Sequence, residues 1–252
     1  MNNYEETKKI LQKIEPEYIF IMSGISSTVS IINSYYYNLL SMISNIFESL
    51  SHLSITPKKI VIPSSSHVYG ENNIKLLNEN LKPKPNTDYA LSKFFVEQLS
   101  KNWFNKFPII LTRPFNYTGV GQNINFVIPK IIKHFKEKKS EIELGNINLY
   151  REFNDVRSIS KIYRSLIESD YSSGIVNLSY GKGYTLQGII NKLKSISGDN
   201  IKIKKNNTFI RYSEPKFFIG SPNKLGSIIG KMPSNNIDNL LNWMLYEETN
   251  HY

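Results

Sequence analysis

Short apolar runs alternate with longer amphipathic stretches along this chain. The runs EYIFIMS (17–23), KIVIPS (59–64), PIILTR (108–113), EIEL (141–144) and GIVNLS (174–179) predict strands. Between them, apolar residues recur at helical spacing near 4–14, 34–53, 89–106, 126–138, 158–169 and 185–196. Continuous apolar strands separated by helices imply an α/β fold with a parallel sheet covered by helices on both faces. Turn residues thicken after Pro114, in NYTGVGQN and SYGKGY, and the final third mixes short elements. A second, smaller lobe grafted onto the strand ends is therefore expected.

In such sheets the chemistry lies outside the carboxyl ends of the strands. Three stretches fall there: SGISS (23–27), SSSHVYG (64–70) and RPFNYTGVGQ (113–122). Between the last two runs DYALSKFFVEQL (88–99), in which Tyr89 and Lys93 are spaced to share one helical face. Two other Tyr-x-x-x-Lys matches, Tyr4/Lys8 and Tyr212/Lys216, have no such setting, and Pro215 interrupts the second. A phenol active at neutral pH needs its pKa lowered by about three units, roughly 4 kcal/mol. Lys93 offers one positive charge toward that, and Ser64, Ser65 or Ser66 offers a hydroxyl to the same oxygen. Tyrosine, lysine and serine so placed suit proton transfer to or from a sugar or alcohol oxygen, coupled to hydride transfer.

Composition narrows the alternatives. The 252 residues are 40% hydrophobic and 21% charged, as in a globular chain, and no apolar run approaches a membrane span. Without cysteine there is no disulfide, thiol catalysis or thiolate metal site. The N-terminal residues mix acidic and basic groups, unlike a secretory signal, so a cytoplasmic location is the default expectation. The net charge of +10 is mostly lysine, spread along the chain in stretches such as KIIKHFKEKK (130–139) and KIKK (202–205). These read as solvated faces, and neither a nucleic acid nor a membrane partner is expected. Arginines are few, at five, and suit bidentate phosphate binding better than lysine does.

Taken together and in order, SSSHVYG, DYALSKFFVEQL, RPFNYTGVGQ and YREFNDVRSI resemble the extended short-chain dehydrogenases/reductases, the NAD-dependent epimerase/dehydratase family. The likeness is greatest to GDP-mannose 4,6-dehydratases and GDP-4-keto-6-deoxymannose reductases. Their motif Arg-Pro-Phe-Asn-His-Thr-Gly-Pro-Gly-Gln is matched from Arg113 to Gln122 with two changes. The resemblance implies Ser65, Tyr89 and Lys93 as catalytic residues, with Tyr89, Lys93, Ser23 and Gly24 toward an NAD or NADP cofactor. It implies Asn116, Arg151 and Arg211 toward a nucleoside-diphosphate sugar. Arg113, Arg151 and Arg211 all fall inside family motifs, where arginine is expected to grip phosphate.

Two departures shape the expected activity. Dehydratases of the family carry a glutamate two residues after the catalytic Ser/Thr, and His67 stands there. That favours a 4-keto reductase or epimerase over a dehydratase. The family also opens with a strand, a glycine-rich loop and a helix that cradle the cofactor pyrophosphate. Here the first glycine is Gly24, already after a strand, so the family's first three strands and that loop are expected to be missing. The expected architecture is a truncated Rossmann-type domain, 1–113 with 146–180, and a nucleotide-sugar lobe, 114–145 and 181–252. Strand 17–23 then becomes an apolar edge that something should cover. Such a chain either takes the missing half from a second chain or persists as a non-catalytic binder of a nucleotide sugar. Homodimerisation through helices 34–53 and 89–106 is expected on the family's pattern, and poor NAD(P) binding by the chain alone.

Overall fold

Four of the five predicted strands assemble as one parallel sheet in the computed structural model, which describes residues 3–23, 33–72, 74–210 and 214–247. In chain order the first elements are α1 (Tyr4–Ile14), β1 (Tyr18–Phe20), α2 (Asn33–His52), β2 (Lys59–Pro63), α3 (Asp88–Lys101) and β3 (Ile109–Pro114). Then come β4 (Tyr117–Thr118), α4 (Val127–Lys136), β5 (Glu141–Leu144), β6 (Tyr150–Arg151), β7 (Asn154–Asp155) and α5 (Val156–Glu168). The rest are β8 (Gly174–Leu178), α6 (Leu186–Ser197), β9 (Lys202–Lys205), β10 (Phe217–Phe218), α7 (Asn223–Ile229) and α8 (Ile237–Tyr246).

The sheet runs β1-β2-β3-β8, with Ile60 opposite Ile109 and Thr112 opposite Val176. Alternation along the strands sorts the side chains. Ile60, Ile62, Ile109 and Leu111 face Leu39, Ile43, Phe47 and Leu50 of α2 and Val96 of α3. Val61, Ile110 and Val176 face Ile159, Ile162 and Leu166 of α5. Each isoleucine sealed this way contributes roughly 1.5–3 kcal/mol over leaving it in water. In a separate cluster, Ile128, Ile131 and Phe135 of α4 meet Ile189 and Leu193 of α6 and Leu240 and Leu241 of α8.

Helix starts follow local chemistry. Thr87 accepts from the Ala90 amide at the head of α3, Asp155 from Arg157 at α5, and Asn236 from Asp238 and Asn239 at α8. The strand expected over 17–23 is shorter, Tyr18–Phe20, although the Ile21 amide still donates to Val61 O at 3.0 Å. Helix 89–106 ends at Lys101, and residues 102–106 continue as turns. KIKK forms β9 against β5, with its three lysines exposed as expected. The edge expected to be covered is open among the described residues. Tyr18 and Phe20 share one face of β1, and with Met22 just beyond it they are 45%, 43% and 58% exposed. No helix among the described residues is long and apolar enough to cross a membrane.

Candidate active site

The carboxyl end of β2 delivers three serines, and their neighbours separate their roles. Ser64 Oγ donates to Glu97 Oε1 at 2.7 Å and is turned into the core. Ser65 lies at the head of a single 3-10 turn, Ser66–Tyr69, where its Oγ accepts from the His67 amide at 3.2 Å. That turn ends at Gly70, whose φ of +59° and 1.8 Å approach of a hypothetical Cβ to Lys84 O admit only glycine. The Val68 carbonyl accepts from the Lys84 amide, so the turn is clamped behind Ser65.

Helix α3 brings Tyr89 and Lys93 alongside. Lys93 is buried, its Nζ donates to Pro63 O at 3.2 Å, and burial lowers its pKa to about 8. Tyr89 is half-buried, and its ring meets His67 edge to face with centroids 5.8 Å apart. His67 in turn lies 5.6 Å from the Phe218 ring of β10. Phe218 carries the Arg151 guanidinium, 5.9 Å from the ring centroid. A continuous path therefore runs from the Tyr89 phenol across His67 and Phe218 to Arg151. Sequence spacing gave no sign of Phe218, which lies in a two-residue strand paired with β6.

Arg151 is part-buried, with Nη1 donating to Tyr150 O and Pro215 O at 2.9 Å and Nη2 4.0 Å from Glu214. Burial lowers its pKa, against the opposing pull of Glu214. The Asn116 carbonyl accepts from the Asn154 amide, which joins the RPFN segment to β7. Beside Arg151, Glu152 is wholly buried and gathers Ser179 Oγ, Asn154 Nδ2 and the Tyr180 and Gly220 amides. Burial raises its pKa while those four donors oppose the rise. Ser23 is exposed at the end of β1, and Gly24 and Arg211 lie outside the described residues.

Arg113 corrects one expectation. It does not grip phosphate: it is 1% exposed on the central strand β3 and holds Glu97 bidentately, at 2.8 and 2.6 Å. Burial alone would disfavour its charge, but the Glu97 hydrogen bonds and charge outweigh that, and its pKa is raised. Glu97 lies one turn beyond Lys93 on the same face of α3, a spacing legible in the sequence although its partner was not. The pair ties the Ser64–Ser65 strand end to the helix of Tyr89 and Lys93.

With this geometry in view, the comparisons with known proteins are specific. The general model of the NAD dependent epimerase/dehydratase family matches residues 1–179. The chain belongs to that family. A curated GDP-6-deoxy-D-talose 4-dehydrogenase of Aggregatibacter actinomycetemcomitans is 32% identical over 232 residues, 91% of this chain and 79% of that protein. A GDP-6-deoxy-D-mannose reductase of Pseudomonas aeruginosa is 28% identical over 179 residues, 68% of this chain and 59% of its own length. A solved Burkholderia cenocepacia protein superposes with a TM-score of 0.90 at 30% identity, covering 97% of this chain and 79% of that one. The UDP-glucuronic acid 4-epimerase of Bacillus cereus, solved with UDP-glucuronic acid and NAD, shares the fold at 22% identity and TM-score 0.83, covering 95% of this chain and 77% of that one.

The family's cofactors are nicotinamide dinucleotides, and the residues here fit one end of such a molecule. Lys93, Tyr89 and the Pro63–Ser65 strand end form a polar wall of the kind a nicotinamide ribose needs. The pyrophosphate end finds no comparable cradle in the glycine pair leading into α6. A Cβ at Gly181 would press on Pro222, and one at Gly183 on Ile219, so protein already fills that turn. Among the described residues no group of His, Asp or Glu is placed to hold a metal ion.

Proposed function

We propose that the site carries out 4-keto reduction or epimerisation of a nucleoside-diphosphate sugar, with a guanosine diphosphate 6-deoxyhexose as the favoured substrate. The observation that carries this is the path from Tyr89 to Arg151. In this reading the Tyr89 phenol donates a proton at one end and the Arg151 guanidinium holds diphosphate at the other, with Phe218 and His67 between them. The names of the two curated relatives support the guanosine base and the deoxysugar.

In this reading Ser65 Oγ polarises the C4 oxygen, Tyr89 exchanges its proton with that oxygen, and Lys93 stabilises the phenolate. With its pKa near 8, Lys93 supplies that charge at neutral pH and loses it above about pH 8. Arg151, Asn116 and Arg211 hold the nucleotide. Bound NAD or NADP would accept or donate the hydride at C4. Arg151→Ala should weaken binding of a GDP-sugar by about 1.5–3 kcal/mol, the scale of a charged hydrogen bond. Calorimetry giving equal affinities for the two proteins would overturn the assignment.

The edge of β1 away from β2, unpaired among the described residues, favours a further element of sheet there, from the same polypeptide or from a second chain, to complete the cofactor site. Titration of the purified chain with NAD and NADP, followed by fluorescence, tests this: we expect weak binding, and micromolar affinity would remove the need for such a partner. A homodimer through α2 and α3 is the other assembly we propose. Leu91 and Phe95 of α3 are 38% and 53% exposed and suit a helical interface. Light scattering at micromolar concentration should show a dimer, and a monomer would count against it.

A further inference from the structure

We propose that Glu152 is a positioning residue for the nucleotide: its buried carboxylate fixes the two strands on which the Arg151 guanidinium rests. The inference rests on the reading of Arg151 as a diphosphate ligand, and it adds a residue that acts through that guanidinium.

The guanidinium depends on two strands at once. Arg151 Nη1 donates to Tyr150 O on β6 and to Pro215 O, just before β10, both at 2.9 Å. Those strands pair over two residues only, Tyr150 with Phe217 and Arg151 with Phe218. A two-stranded ribbon that short is marginal by itself. Glu152, the next residue after Arg151, supplies the tie. Its Oε1 accepts from the Gly220 amide, two residues beyond Phe218, at 2.7 Å. The same oxygen accepts from Ser179 Oγ, and Oε2 accepts from the Tyr180 amide at 3.0 Å, so the ribbon is joined to the end of β8 in the main sheet. Oε2 also accepts from Asn154 Nδ2 at 2.9 Å, which adds β7.

The chemistry selects a charged acceptor. A carboxylate offers about four acceptor sites and no donor, and Glu152 meets four neutral donors, two on each oxygen. It is 0% exposed, so bulk water does not replace a lost partner. Packing around the tie leaves little slack, since a Cβ at Gly220 would lie 2.4 Å from Phe115 and 2.7 Å from Ser179. Glutamine has nearly the same shape but turns an amide donor toward two of those donors, which leaves them unpaired in the interior. β10 must then shift against β6, and the guanidinium shifts with them.

The test is a double-mutant cycle on the purified full chain, with binding of guanosine diphosphate 6-deoxy-D-mannose measured by calorimetry. Thermal unfolding shows which variants are folded at the assay temperature. Glu152→Gln should weaken binding about tenfold, near the scale of one charged hydrogen bond. In an Arg151→Ala background the same change should have no further effect, because the guanidinium it positions is gone. Where Glu152→Gln does not fold, Ser179→Ala takes its place in the cycle: it removes one partner of the carboxylate and should weaken binding only while Arg151 is present. Unchanged affinity in the folded variant overturns the proposal and leaves the substrate reading standing. Equal weakening with and without Arg151 also overturns it, because that marks a general structural role. Arg151→Ala binding as tightly as wild type, or absence of binding to wild type, overturns the substrate reading and this inference with it.

Discussion

Strands β3 and β1 belong to one parallel sheet and could hardly be in more different surroundings. β3 lies between two neighbours, with Ile109, Ile110 and Leu111 fully sealed and Arg113 paired with Glu97 beneath the site. β1 pairs with β2 alone among the described residues, and both Tyr18 and Phe20 on one of its faces meet solvent. The difference maps onto chemistry. Ser65 and Lys93, the groups proposed to handle the proton, are buried beside the sealed part of the sheet. The part toward which a dinucleotide would extend is the part left open. Burial of Lys93 and of the Glu97–Arg113 pair is possible because the sheet beneath them is complete.

Breaking the sealed region should cost most. Glu97→Ala leaves Arg113 charged and unpaired in the interior, and a loss of about 3–5 kcal/mol is expected by urea denaturation. An unchanged midpoint would mean that the pair is worth nothing to the fold. Next, Ile110→Ala should cost about 2–5 kcal/mol, against less than about 1 kcal/mol for Phe20→Ala on β1. Equal losses at the two positions would show that β1 is covered in solution, and hence that its exposed face is an interface.

Lys93 gives a smaller effect of opposite sign. Its pKa falls from the ordinary 10.5 to about 8 because burial disfavours the charge, so the unfolded chain binds that proton more tightly. The group therefore opposes folding below pH 8, and stability should rise as pH climbs from about 8 to 10.5. Lys93→Met should stabilise the protein at pH 7 by about 3 kcal/mol at most, with the gain shrinking across that window. A gain that does not change with pH would point to packing instead of charge.

Much of this was legible in the sequence because it depends on short-range periodicity. Strands 59–64 and 108–113 are apolar on both faces because both faces are buried, and that pattern needs no knowledge of partners. Tyr89 and Lys93 share a face by helix geometry alone. Helix α8, by contrast, is not legible from the pattern despite its Asn236 cap and apolar run, because among the described residues no strand of the four-stranded sheet follows β8 to frame it. β1 and α3 are shorter than their apolar patterns, since ends are set by local hydrogen bonding and not by hydrophobic pattern.

Determined by the sequence itself were the alternation of strands and helices, the lysine-rich solvated faces and the spacing that makes Tyr89 and Lys93 neighbours. Tertiary structure alone decided the fates of groups whose partners are distant along the chain. Arg113 reads as a phosphate ligand in its motif but is a buried counter-ion, because α3 carries Glu97 across to β3. His67 reads as a substitution in a turn, yet it bridges Tyr89 to Phe218, about 150 residues away in sequence. The reason is physical: periodicity records which face of an element is apolar, whereas charge pairing and ring contacts depend on which elements meet.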